Sequence, residues 1–366
     1  MKFIINREAL LGSLQQIVSV IEKRQTMPIL SNILLVIDNE QLTMTGTDLE
    51  VQLISKLDLP NAISGAITVP ARKFLDICRL LPAGSEIKFE QNDDKVKITS
   101  NRSRFSLNCL PADNYPEFAE GELEHQFMIN AGQFKRALDK TTFCMANQDV
   151  RYYLNGLLLH ISDSKLELVA SDGHRLSIYE DQLETPTGFE ERIILPRKGV
   201  LELSKLIDDH ETELHVEFSS SSIRIYIKQL IFSAKLIDSK YPDFGKVFQQ
   251  GFLSPLEIEK IVLKTALTRV SILSNEKFKG VTFDIDTERL KISTHNPEHD
   301  EAEEELAIIY DDESLSIAFN AQYLSEAISN LDGDTAMLTI AQDSSSCFIH
   351  EPNGEKYKFI VMAMRL

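Results

Sequence analysis

Basic residues are scarce in this chain. Its 366 residues include 38 Lys and Arg against 56 Asp and Glu, a formal net charge of −18. A surface that is basic throughout is therefore excluded, and any affinity for phosphates must come from an uneven distribution of charge. Cysteine is sparse too. Cys78, Cys109, Cys144 and Cys347 stand apart with no CxxC spacing, which fits reduced thiols in the cytoplasm better than a disulfide framework. Long apolar runs are missing: none approaches the roughly 18 residues of a membrane helix. Met1 to Arg7 has too short an apolar core for a signal peptide, so the expected location is cytoplasmic, with no membrane partner. No P-loop and no GxGxxG run occurs, so no glycine loop marks a nucleotide site, and no cofactor or metal is expected.

What the chain does have is a threefold internal repeat. Ile193 to Leu195 is a short apolar run ending at Pro196, followed by a helical pattern with Val200, Leu203 and Ile207. Alternating runs follow at His215–Phe218, Ile223–Ile227 and Ile231–Leu236, the period shifting from 3.6 to 2. Ala66 to Phe74 opens the same succession earlier, through Ile87–Phe89, Val96–Ile98 and Arg104–Leu107. Pro70 and Pro196, like Tyr115 and Tyr241, are 126 residues apart, and Leu42, Leu166 and Leu290 are spaced by 124. A third copy runs from Leu315 through a helix at Tyr323 to Leu331, with Tyr357 to Met362 as its last strand. So many element types recurring at one spacing define a repeat architecture.

Each repeat should hold two amphipathic helices and about six strands. The expected fold class is α+β, with helices on one face of antiparallel sheets and domains at 1–124, 125–251 and 252–366. The helices are expected near 7–24, 72–81, 131–148, 197–207, 256–270 and 320–331. Their apolar stripes are Leu10, Leu11, Leu14, Ile17, Val18 and Ile21 in the first repeat. Phe134, Ala137, Leu138, Thr141 and Met145 serve the second, and Ile258, Ile261, Val262 and Thr265 the third. These six segments together carry a charge of +7, leaving −25 on the strands and loops. Such a chain can offer phosphates one face and repel them elsewhere.

Four motifs bear on chemistry. His295-Asn-Pro-Glu-His299 matches the HxxEH pattern of one zinc peptidase class. That chemistry needs both imidazoles on one helical face, whereas here a strand-like run leads in and Pro297 sits between the histidines. Asp172-Gly-His-Arg175 groups acid, base and cation, but with no nucleophile beside it the plain reading is a tight turn between strands. Asp149-Val-Arg-Tyr-Tyr153 joins a charge pair to two tyrosines, either as a strand edge or as a surface for phosphates or a partner. Glu298 to Glu305 carries six acidic residues; these form a solvated face or a dock for Lys73, Arg102 and Arg104 of another subunit.

Taken together the landmarks resemble the bacterial sliding clamps, the beta subunits of DNA polymerase III, over essentially the whole chain. The most specific stretches are Gly46-Thr-Asp-Leu-Glu50, Val69-Pro-Ala-Arg-Lys-Phe74, Gln148-Asp-Val-Arg-Tyr-Tyr-Leu-Asn-Gly156, Asp172-Gly-His-Arg-Leu176, Leu195-Pro-Arg-Lys-Gly199, Ile272-Leu-Ser-Asn-Glu-Lys277 and Met364-Arg-Leu366. The resemblance implies three clamp domains per chain and a head-to-tail homodimer closed into a ring around duplex DNA. It implies a processivity factor without catalysis, tethering the replicative polymerase's catalytic subunit and opened by an ATP-driven clamp loader. Translesion polymerases and repair proteins are further implied partners, through short peptide motifs. A helix of about 12 residues spans roughly 18 Å, enough to cross successive phosphates, and Lys and Arg on it attract the backbone without reading sequence.

By the same resemblance Arg24, Arg72, Gln148, Tyr152 and Tyr153 are DNA contacts. Lys198 joins them from its place at a basic helix start. A pocket for partner peptides bearing a glutamine and two apolar anchors is implied at Leu154, Ser171, Gly173, His174, Arg175, Leu176, Pro242, Val247, Ser346, Ile360, Val361, Met362 and Met364. Lys246 and Ala363 stand where close relatives often have arginine and proline. For the subunit contact, the edge run with Phe105 and Leu107 is implied to meet the last domain, near Ile272 and Leu273. Lys73 and Arg102 would face Glu298, Glu301 and Glu304. The competing expectations are a repeat scaffold that binds only proteins and a zinc metallohydrolase.

Overall fold

In each repeat a short strand runs straight into a helix, because alternating apolar residues give way within one residue to a 3.6-residue period. The computed structural model describes residues 1–365 apart from 23–26, 120, 209–210, 249–250 and 355, with Lys246 described by its backbone alone. Six helices are described: α1 (Arg7–Ser19), α2 (Ala71–Leu80), α3 (Ala131–Thr141), α4 (Arg197–Leu206), α5 (Lys260–Val270) and α6 (Ala321–Ser329). Around them lie 24 described strands, eight to a repeat.

The described chain divides into two compact units, Met1–Lys135 with Lys198–Asp238, and Arg136–Arg197 with Ser239–Leu366. The first unit holds a four-stranded antiparallel sheet in the order Lys2–Asn6, Glu86–Asn92, Lys95–Ser100, Ser103–Asn108. Its second sheet has eight strands. Gly65–Pro70, Asn32–Asp38, Gln41–Thr47 and Val51–Asp58 come from the first repeat, and Leu230–Lys235, Ser222–Ile227, Glu213–Phe218 and His125–Asn130 from the second. The two repeats meet where Val51–Asp58 pairs antiparallel with Leu230–Lys235. α1 and α2 pack on each other. Asn6 caps α1 by accepting from the Glu8 amide at 2.9 Å, and Leu10, Leu14, Ile17 and Val18 face the core. Approach to the sheet is close, since a Cβ on Gly46 would stand 2.7 Å from Ile17 Cγ2.

The second unit repeats this plan. Its four-stranded sheet runs Glu301–Ala307, Arg289–His295, Gly280–Asp286, Leu315–Asn320. Its eight-stranded sheet joins Glu190–Pro196, Gly156–Ser162, Lys165–Ser171 and Arg175–Gln182 to Tyr357–Met362, Ser346–His350, Thr335–Ile340 and Leu256–Glu259. Here the join is Arg175–Gln182 against Tyr357–Met362, again antiparallel. α5 and α6 pack on each other.

Four expectations need correction. Each repeat holds eight described strands where about six are expected, because short strands such as Lys2–Asn6 and Leu256–Glu259 are too brief to show a period of their own beside a helix. The helix expected over 7–24 ends at Ser19, although Val20 and Ile21 stay buried, because the backbone tightens so that Ile21 N donates to Val18 O at 3.2 Å. The one expected over 131–148 ends at Thr141 and gives way to a 3-10 turn, Thr142–Cys144, while Met145 is buried beyond it. In the third repeat, Leu256–Glu259 is a strand, with Leu256 and Ile258 inward and their neighbours outward. α5 therefore starts four residues later, and its core face is Leu263, Ala266, Leu267 and Val270. Ile261, expected inside, is 61% exposed, and Val262 is exposed as well.

Candidate functional site

After the 3-10 turn Thr142–Cys144 the chain forms a loop that ends in a second one, Tyr152–Asn155. Asn155 spans the loop twice: its Oδ1 accepts from the Asp149 amide at 2.8 Å, and its Nδ2 donates to the Asp149 carbonyl at 2.7 Å. The Asp149 carboxylate in turn accepts from the Arg151 amide at 2.8 Å, from Nε at 3.0 Å and from Nη2 at 2.9 Å. The side-chain hydrogen bond from Arg151, and then its backbone N–H, hold the Asp149 carboxyl down to about 2. With Asp149 bonded within the loop through its carboxylate, amide and carbonyl, the loop presents two faces. Gln148, at φ +59°, lies with Val150 and Tyr152 in solvent, the last two 89% and 76% exposed. Leu154 is 2% exposed, and Tyr153 sets its ring edge-on to Tyr241, 6.3 Å between centroids.

So three of the residues expected at DNA, Gln148, Tyr152 and Tyr153, share one loop of the second unit. Two others lie in the first unit. Arg72, near the start of α2, is exposed and donates through Nη2 to the Ile21 carbonyl at 2.8 Å. Lys198, at the start of α4, pairs with Glu22 at 2.7 Å and with Asp48. Arg72 thus reaches the backbone of Ile21 and Lys198 the carboxylate of Glu22, two neighbours in sequence of Arg24, which itself lies outside the described residues. Lys198 differs from Arg72 in that two carboxylates already neutralise it.

The residues expected to hold peptides belong to the second unit. At their centre is the turn between Lys165–Ser171 and Arg175–Gln182, built as the Asp-Gly sequence predicts. Asp172 Oδ1 accepts from the His174 and Arg175 amides at 2.9 and 3.0 Å, and Oδ2 from Arg175 Nε at 3.0 Å. The Ser171 hydroxyl donates to the Arg175 carbonyl at 2.7 Å and accepts from the Gly173 amide at 3.0 Å. Gly173 has φ +86°, a conformation few side chains tolerate. Next to the turn, Leu176 is opposite Ile360 and Arg175 opposite Val361, while the Met362 amide donates to the His174 carbonyl at 2.8 Å. Ser346 is the cross-strand partner of Met362.

The remaining members of that set sit around this centre. Pro242 follows the buried Tyr241. Val247 lies in the 3-10 turn Gly245–Phe248, whose Phe248 ring meets Phe348 edge-on at 6.0 Å. Met364 hydrogen-bonds to the Ala318 carbonyl at 2.7 Å and lines, with Phe278, His295 and Pro297, a cavity of about 360 Å³. Sequence reasoning missed Tyr323, on α6. It stacks with His174 at 6.5 Å and lies 4.4 Å beneath the Arg175 guanidinium, which also pairs with Glu326. Its signal was faint: one tyrosine beside the Asn320 cap of a helix expected to serve only the core.

The acidic stretch and the basic edge each occupy an outer strand of a four-stranded sheet. In the first unit Ser103–Asn108 is the edge, with Arg102 and Arg104 exposed, Phe105 half-buried and Leu107 buried. Lys73 is exposed on α2. In the second unit Glu301–Ala307 is the edge, Glu298 and Glu301 are exposed, and Ile272 is 75% exposed beside the half-buried Leu273. Part of the acidic charge is answered locally, since Glu304 pairs with Arg269 and Glu303 with Lys291 at 2.9 Å. The HxxEH sequence forms the hairpin between Arg289–His295 and this edge, closed by Asp300 N donating to Asn296 Oδ1 at 2.9 Å. The helical frame that zinc hydrolysis requires of those histidines is not there, and among the described residues no His, Cys, Asp and Glu cluster fit for a metal occurs.

Comparison with known proteins covers the full chain. Three family models match in succession: the N-terminal, central and C-terminal domains of the DNA polymerase III beta subunit, at residues 1–119, 128–243 and 246–365. The beta sliding clamp of Pseudomonas aeruginosa is 40% identical over 367 residues, covering all of both chains. A crystal structure of the DNA polymerase sliding clamp from that organism superposes with a TM-score of 0.96 over all of both chains. Another structure of that organism's sliding clamp, bound to griselimycin, has a TM-score of 0.95 at 40% identity, again over both whole chains.

Proposed function

The chain belongs to the beta-subunit family of DNA polymerase III, the sliding clamps, which are non-catalytic processivity factors, and from that premise we propose that two copies close head to tail around duplex DNA. One observation carries this reading. The same antiparallel join is used twice within the chain, Val51–Asp58 to Leu230–Lys235 and Arg175–Gln182 to Tyr357–Met362. In each, the fourth strand of one repeat meets the eighth of the next. Continuing the series, Glu301–Ala307 of the third repeat needs an eighth strand from a first repeat, and Ser103–Asn108 is that strand. Both are edges with unpaired backbone groups, which require a partner or a guard. Their charges are opposite, as Arg102, Arg104 and Lys73 would meet Glu298, Glu301 and Glu304. Domains at 1–124, 125–251 and 252–366 fit three such segments per chain.

DNA inside the ring would be held without sequence preference through Arg24, Arg72, Gln148, Tyr152 and Tyr153, with Lys198 in a supporting place. Partners would engage the turn at Ser171–Arg175 and the strand ending at Met362, laying apolar anchors against Leu154, Leu176, Val247 and Met362. The griselimycin-bound relative supports a ligand site on this fold. The replicative polymerase, the clamp loader, and translesion and repair proteins are the partners this predicts. Particle images test the architecture: a ring of two copies with a central hole is expected. Open chains or solid particles would favour a scaffold that binds only proteins.

A further inference from the structure

Arg151 belongs to neither proposed site, yet it connects them. Its guanidinium is fixed on one side by Asp149, through Nε at 3.0 Å and Nη2 at 2.9 Å. On the other side Nη2 donates to the Asp172 carbonyl at 3.2 Å. Between these anchors the guanidinium lies over Gly173, so close that a Cβ on that glycine would stand 2.8 Å from both Nη1 and Nη2. The Arg151 carbonyl also accepts from the Leu154 amide at 2.9 Å. A single residue thereby touches the backbone of the peptide-binding turn and starts the 3-10 turn that carries Tyr152 outward and Leu154 inward. The bidentate fork on Asp149 is a geometry that lysine cannot reproduce.

We propose that Arg151 is a positioning residue for the partner pocket, its guanidinium bracing the Ser171–Arg175 turn from the loop that faces DNA. The absence of a side chain at Gly173 is then required twice, by its positive φ and by the plane of the guanidinium above it. Arg151 itself need not touch a bound peptide. Its side chain is 45% exposed, so its replacement leaves the core packed.

This inference rests on the pocket assignment above, and the test separates the two. A fluorescein-labelled decapeptide carrying a glutamine and a Leu-Phe pair is titrated into the full-length protein and its Arg151→Ala, Arg151→Lys, Gly173→Ala and Met362→Ala variants. The Arg151→Ala/Gly173→Ala double variant completes the set. Sedimentation and thermal melting establish that each variant is folded and of unchanged size. Met362→Ala is the control for the pocket, and an unchanged Kd there would overturn the pocket assignment itself. With that control weakened, Arg151→Ala is expected to raise Kd about 5- to 10-fold, and Arg151→Lys about as much. Gly173→Ala should raise it further. The double variant should be no weaker than Gly173→Ala alone, because the guanidinium that the added methyl would meet is then gone. A purely structural role would make the two effects multiply. Multiplied effects, or an Arg151→Ala variant that binds like the parent, would overturn the proposal.

Discussion

Lys198 and Arg72 show why cations counted along a sequence are not equal on a surface. Arg72 spends one hydrogen bond on the Ile21 carbonyl and stays exposed, while Lys198 is held by Glu22 and Asp48. Replacing Arg24 and Gln148 with Ala should weaken binding to open duplex DNA several-fold, with affinity falling as salt rises. Lys198→Ala should change it less, as filter binding at two salt concentrations would reveal. The Asp149–Arg151 pair has its own pH window. Because the carboxyl is held down to about 2, the pair is complete above the ordinary carboxylate range and is lost only as pH falls through the depressed value. Peptide affinity measured between pH 8 and pH 5 should therefore show no step from this pair. All four cysteines are buried, and burial pushes the thiols up, Cys78 to about 12 and Cys109 to about 11. A neutral-pH thiol reagent should label none of them until denaturant is added. The Asp172 turn was legible from its four residues, since its bonds are local. The brace over Gly173 was not, because it joins residues 22 apart through a side-chain plane that no periodicity records.

At the scale of elements, the strands with clear alternation were legible and the ends of helices were not. Tyr357–Met362 is the final strand expected from the repeat. Ile21 continued an apolar stripe that the backbone leaves after Ser19, because burial alone cannot distinguish a last helical turn from a packed bend. Leu256–Glu259 was absorbed into a helix for the opposite reason: four alternating residues are too few to declare a period before α5 begins. The C-terminal strand gives this scale its prediction. Met362 is tied to the His174 carbonyl and faces Ser346 across the sheet, so deleting Met362 to Leu366 removes one wall of the proposed pocket. Each apolar anchor of a bound peptide contributes roughly 1.5–3 kcal/mol when fully buried. Peptide titration should find binding abolished, while sizing finds the dimer intact.

For the whole molecule, the repeat was the most legible feature, since its spacing is written in prolines, tyrosines and leucines 124 to 126 residues apart. What the spacing could not give was the join between repeats, which depends on which strands are left as edges. With Glu301–Ala307 and Ser103–Asn108 as those edges, Ile272 and Leu273 would stand beside the proposed contact. Replacing both with Ala should turn the dimer into monomer in sedimentation at low protein concentration. A buried Ile or Leu cut to Ala costs about 2–5 kcal/mol, enough to separate two copies held by one strand pair and its flanks. The central claim is that the closed dimer holds DNA by encircling it. Its most direct test is retention of the protein, assembled by its loader onto a nicked circular duplex, through gel filtration at raised salt. The account predicts that the protein travels with the circle and is released when a single cut makes the DNA linear. Equal retention on circular and linear DNA, or loss from both, would contradict it.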